Sequence, residues 1–184
     1  DYYIMNVFYL DRNPKKCAEM HCDKHTCKMI IEYAQLLSTA HRVLDGDPYL
    51  DKTKNGRSIK RWRLDKYEDV LYIAHSPNHP SAIWVRQTSN NYSWLYQLWF
   101  ALCKEYEYRY GREHLTFTKL KYVIGFPPKN IAKGNMTEIP QAMPDHCKMD
   151  NPINAYRNYY KIEKKNFAKW TKRQIPNWFL TSVA

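Results

Sequence analysis

Six polar residues, His21, His25, Lys28, Glu32, Gln35 and Thr39, follow one another at intervals of 4, 3, 4, 3 and 4. Only an α-helix puts such a series on one line: at about 100° per residue the six share a sector of roughly 80°. The neighbouring sector carries Ala18, Cys22, Met29, Tyr33, Leu36, Ala40 and Leu44, a face fit for a core. Asn13 and Pro14 supply a side-chain cap and a proline at the first helical position, and Asp45-Gly46-Asp47-Pro48 supplies a stop. One helix is therefore expected over 14–44. Its polar line runs along the edge of the core, where side chains are half buried and their pKa values shift. The line reads as the wall of a functional site.

The rest of the chain punctuates itself around that helix. Asn6-Val7-Phe8-Tyr9-Leu10 is too short for an independent strand and is expected to pack along the first helix. Residues 45–68 are polar, with a basic cluster at Lys52, Lys54, Arg57, Lys60, Arg61 and Arg63 that reads as a surface loop or short hairpin. The turn His75-Ser76-Pro77-Asn78-His79-Pro80 launches a short helix over 81–87. Ser89, Asn90 or Asn91 caps a second long helix, whose core face is Trp94, Leu95, Leu98, Trp99, Leu102 and Tyr106 and whose end is Gly111. Lys104, Arg109 and Arg112 gather near that end, where the helix dipole is negative. A further helix is expected over 115–123, an extended connector over 125–150, and a last helix over 153–171 after Asn151-Pro152. The expected fold is all-α: a single compact domain, 1–184, of three principal helices with long basic loops. Within it residues 1–5 are set apart, because Asp1–Ile4 read as an extension ahead of Met5.

Composition narrows the partners. The net charge is +11, and 16 tyrosines and 6 tryptophans accompany it. Phosphates attract Lys and Arg while unstacked bases attract flat rings, so interleaved basic and aromatic residues point to nucleic acid or a nucleotide. No apolar run approaches the roughly 18–20 residues that span a membrane. Five cysteines without a CxxC pair fit reduced thiols, hence a cytoplasmic setting.

Three groups of residues carry chemistry. In the stripe, Glu32 can act as general acid or base or face a positive charge growing on a sugar, and His25 and Lys28 can hold phosphate or move a proton. The bland alternative is an i, i+4 salt bridge from Lys28 to Glu32. A metal held by His21, His25 and Glu32 is the minority alternative, since Lys28 would repel it; no metal and no cofactor are expected. The second group is the basic, aromatic run Tyr156-Arg157-Asn158-Tyr159-Tyr160-Lys161, followed by Lys164, Lys165, Phe167, Lys169, Trp170, Lys172 and Arg173, a face for a nucleic-acid backbone or a helix with core aromatics. The third places Asn78 and His79 at a helix N-terminus, a natural anion site. Cys17, Cys22 and Cys27 read as packing residues.

Cys22-Asp23-Lys24-His25 followed by Glu32 resembles the first helix of the phage-type pyrimidine-dimer DNA glycosylases, whose catalytic glutamate comes seven residues after a histidine. Asn78-His79-Pro80, Glu138-Ile139-Pro140-Gln141 and Tyr156-Arg157-Asn158-Tyr159-Tyr160-Lys161 resemble later segments of that family, so short matches cover most of the chain in order. The resemblance implies an all-α enzyme, encoded by a phage, that acts on duplex DNA in the cytoplasm of an infected bacterium. It flips a damaged or modified base and breaks its N-glycosidic bond with Glu32. Two departures accompany it. The family's nucleophile is a free N-terminal amine, whereas here Glu32 has a longer lead, which makes Lys28 the substitute amine. Gln35 stands where the family has an arginine, so phosphate contacts fall to Lys24, Arg42, Arg61 and Arg63, with His21, Gln35, Arg57, Asn78, His79, Tyr156, Arg157, Tyr159, Tyr160 and Lys161 completing the expected DNA-binding set. The alternatives are a nucleotide or modified-base enzyme on the same scaffold and a non-catalytic basic module that binds nucleic acid or protein.

Overall fold

The computed structural model describes residues 5–183, so the extension expected at 1–4 lies outside the described residues. Six α-helices and one two-stranded antiparallel sheet follow in the order α1 (Pro14–Met20), α2 (Asp23–Asp45), β1 (Asp47–Lys52), β2 (Ser58–Arg63), α3 (Pro80–Gln87), α4 (Ser89–Tyr110), α5 (Leu115–Leu120) and α6 (Pro152–Glu163). Helices α2 and α4 pack together with α1 and α3 beside them. Trp99, Tyr33, Leu36, Leu37, Leu95, Leu98 and Leu102 are buried between them. The segment ahead of α1 lies in the same core, with Met5, Val7, Phe8 and Leu10 buried and Phe8 N–H donating to the Tyr33 hydroxyl at 3.1 Å. None of the helices formed by the described residues is long and apolar enough to cross a membrane.

The all-α expectation is corrected by the hairpin. Asp47 pairs with Arg63 and Lys52 with Ser58, and Thr53 N–H bonds Arg57 O at 2.9 Å across the turn. The three-residue tip Lys54-Asn55-Gly56 places Gly56 at φ 78°, the left-handed position such a tip requires. At its base, Gly46 is indispensable. A Cβ there would meet Arg42 O at 2.5 Å and Trp62 Cβ at 3.0 Å, so only glycine lets β1 leave α2 this closely.

Three helices differ from their expected extents; α5 stops at Leu120, three residues short of its expected end at 123. The first is broken: His21 and Cys22 are extended, and α2 starts afresh at Asp23. The break turns the His21 ring inward, and the Asp23 carboxylate at the start of α2 accepts bonds from Arg109 and Thr171. The last helix ends at Glu163, eight residues short of its expected end at Thr171. Its continuation folds back instead, because Trp170 Nε1 donates to Met20 O at 2.8 Å and Arg173 reaches Glu105 at 2.9 Å. The Asn13-Pro14 and Asn151-Pro152 starts are present, each asparagine accepting a backbone N–H from the first turn. Helix α4 is capped by Thr88 rather than by the three residues after it, and ends at Gly111 with φ 75°.

Candidate functional site

Because α2 begins at Asp23, the six-residue polar line survives only from His25 onward. His21 is fully buried. Its Nδ1–H donates to Cys17 O at 2.7 Å, and its Nε2 accepts the Tyr33 hydroxyl at 2.7 Å. Burial pushes its pKa down to about 4, so it is a neutral structural histidine and not a nucleic-acid contact. His25 is buried too, stacked on Phe8 with centroids 4.2 Å apart, and its Nδ1 lies 2.6 Å from the Tyr160 hydroxyl. Burial, reinforced by His21, Lys164, Lys28 and Lys24, holds its pKa well below the ordinary value. Its expected role as a cationic phosphate ligand is therefore corrected to that of a neutral ring in the site floor.

The next turns of α2 reach the surface. Glu32 is 8% exposed, with Lys28 Nζ 3.6 Å from its Oε1. Burial raises its pKa, and the charges of Lys28 and Lys164 offset this only in part. A carboxyl that holds its proton to higher pH than usual, at the edge of solvent, is suited to proton transfer. The sequence places Lys164 in the C-terminal basic, aromatic run and gives no sign of its link to Glu32. Lys164 follows the last residue of α6, half buried, with Nζ 4.6 Å from the Tyr159 ring centroid and 5.9 Å from that of Phe167. Burial lowers its pKa, and Lys28 lowers it further. Its only signal in the sequence is a lysine between aromatics, at a position that an overlong helix hid. Lys24 Nζ lies 4.3 Å from the Phe167 centroid, so Lys24 and Lys164 both face that ring.

The far end of the polar line is closed by the turn after Ala74. Thr39 Oγ1 accepts His75 N–H at 3.0 Å, which pins the turn carrying Asn78 and His79 against α2 beyond the half-buried Gln35. Ser76 sits at φ 46° in that turn, a conformation rare for a residue with a side chain. His79 Nδ1 accepts Ser81 N–H at 3.0 Å and so caps α3 itself, which corrects the anion site expected there. Asn78 remains exposed.

Several other expected contacts are internal. Arg42 is 2% exposed and donates to Tyr72 O, Trp62 O, Glu68 Oε1, Glu68 O and Leu71 O at 2.7–2.9 Å. It is a clamp, not a phosphate ligand. Tyr156, Tyr159 and Tyr160 are buried core residues of α6. Arg157 donates to Leu10 O, and Lys161 bonds Thr181 and Ser182. Of the set outside α2, Arg57 and Arg63 are exposed, while Arg61 is paired with Asp51 at 3.1 Å. The minority metal set is not assembled. The one convergent ligand group among the described residues is His146, Cys147 and Glu163, where His146 already bonds Glu163 at 2.7 Å and burial pushes the Cys147 thiol up to about 11.

Lys28, Glu32 and Lys164 line none of five clefts formed by the described residues. The Glu32 side chain is 11% exposed and meets solvent only at its edge. Comparison of the chain with protein-family models, with curated proteins and with solved structures finds no match in any of the three.

Proposed function

We propose that the protein is a DNA-processing enzyme that breaks the N-glycosidic bond of a damaged or modified base in duplex DNA, with Glu32 as the proton-transferring group. The observation that carries this reading is the Glu32 carboxyl, 3.6 Å from Lys28 Nζ at the edge of solvent and raised in pKa by burial, which the charges of Lys28 and Lys164 offset only in part. Protonated Glu32 gives its proton to the departing base, and the resulting carboxylate faces the positive charge on the sugar. A net charge of +11, with Arg57 and Arg63 exposed, favours a polyanion such as duplex DNA over a mononucleotide. Lys164, desolvated and beside aromatic rings, replaces Lys28 as the amine for attack on the sugar C1′. The resemblance to the phage-type pyrimidine-dimer glycosylases supports the same chemistry. A cytoplasmic setting in an infected bacterium agrees with five free thiols.

The test is base release from ultraviolet-damaged and base-modified duplexes by wild type and Glu32→Gln. Loss of roughly a hundredfold or more in the variant is expected for a general acid. Equal rates in both, or no release on any duplex, overturn the reading. A non-catalytic DNA-binding module is the second reading, favoured by the burial of the Glu32 side chain, which is 11% exposed. It predicts duplex binding untouched by Glu32→Gln and no base release.

A further inference from the structure

We infer that the β1–β2 hairpin is a ribbon that enters a groove of duplex DNA and fixes the register of the duplex on the protein. The inference rests on the nucleic-acid reading above and adds to it a binding element outside the Glu32 site. The hairpin carries six basic residues against two aspartates, and one of those, Asp51, is spent on Arg61. Charged side chains protect the open edges of a sheet, but the excess of cations over anions on this one suits a polyanion partner. Leu50 stands 77% exposed opposite Lys60 in the ladder, an apolar side chain that solubility does not explain. A groove offers it the base edges, and the major groove is wide enough for a two-stranded ribbon.

The ribbon is also aimed. Arg42 holds Trp62 O at 2.8 Å while gripping Glu68, and Gly46 brings the ribbon base into contact with α2. Isolated hairpins are marginal in water, so these ties give this one a fixed direction. From Glu32 to the end of α2 is about 20 Å at 1.5 Å per residue. A duplex lying along α2 would cover that span in about six base pairs at 3.4 Å each.

The experiment compares a 20-base-pair duplex and its single strand, in a titration of affinity against salt. The proteins are wild type, Lys54→Gln/Arg57→Gln/Lys60→Gln, and the equal-charge control Lys15→Gln/Lys16→Gln/Lys133→Gln. All the substituted positions are exposed, so thermal melting should be unchanged. The hairpin variant is expected to lose about tenfold or more in duplex affinity at 0.1 M salt. Its slope of log affinity against log salt should fall by about one for each contact removed. The control should stay within about twofold of wild type. Equal losses in the two variants, or equal losses on duplex and single strand, overturn the ribbon while leaving a DNA enzyme in place. No duplex binding by wild type overturns both.

Discussion

Glu32 and Arg42 lie on the same helix and are both buried, yet their chemistry differs because their partners differ. Arg42 spends its donors on four carbonyl oxygens and one carboxylate. Arg42→Met would take the donor from four carbonyl oxygens, while the 35% exposed Glu68 keeps its bond from Leu64 N–H, and a loss of about 1–3 kcal/mol is expected in urea unfolding. Glu32 has one cation at 3.6 Å and an otherwise desolvated carboxyl. Its folded pKa is raised, so between the ordinary value of 4.5 and that higher value the folded state binds more protons than the unfolded. Its contribution therefore turns unfavourable as pH rises through this window. Glu32→Gln is expected to unfold at higher urea than wild type at neutral pH, with the difference vanishing below pH 4.5. Activity from the protonated acid should decline through the same window. A variant less stable than wild type at pH 7 would place Glu32 among the structural ion pairs.

At the scale of elements, the break between α1 and α2 decides which stripe residues reach substrate. His21 and His41 are both pushed down to about 4 by burial, so the unfolded chain binds more protons between pH 6.5 and 4. Stability from each is complete above pH 6.5 and lost as pH falls through 4, about 3 kcal/mol apiece. Urea midpoints measured from pH 7 to 4.5 should fall steadily in wild type and less steeply in His21→Gln. The helix starts at Asn13-Pro14 and Asn151-Pro152 and the Gly111 stop were legible because capping is local. The break was not, because the bonds that hold it come from Tyr33, Tyr160 and Lys169, far off in sequence. The sequence of Asp47-Pro48-Tyr49-Leu50-Asp51-Lys52 does not distinguish loop from hairpin because it shows little apolar alternation; its turn and the Gly46 approach make it a sheet. Gly46→Ala should therefore cost about 1–3 kcal/mol, read in the same unfolding assay, as strain from overpacking. The Glu32–Lys28 pair was legible at i, i+4, whereas Lys164 came to it only through tertiary packing.

Across the whole molecule one buried ion network decides whether Lys164 stays beside Glu32. Arg109 bonds Glu105 at 2.7 Å, Asp23 at 3.0 Å and Glu19 O at 2.9 Å, while Arg173 bonds Glu105 at 2.9 Å and Thr171 bonds Asp23. Helices α1, α2 and α4 are thereby joined to the chain that follows Lys164. Burial alone would raise the Glu105 pKa, but the bonds from Arg173 and Arg109 hold it below the ordinary value. Its contribution is thus present above pH 4.5 and lost as pH falls through the lowered value. Glu105→Gln leaves Arg109 buried with its main counter-charge removed, a change that costs about 3–5 kcal/mol. Arg173→Gln removes one of several ties to the returning chain, leaving the bonds from Thr171 to Asp23 and from Trp170 to Met20, and leaves the Arg109–Glu105 pair intact. It is expected to unfold within about 1–2 kcal/mol of wild type. Yet trypsin should cut it faster at the exposed Lys165 and Lys169, and base release should drop with it. Retained activity alongside faster cleavage would show that Lys164 is dispensable and return the amine role to Lys28.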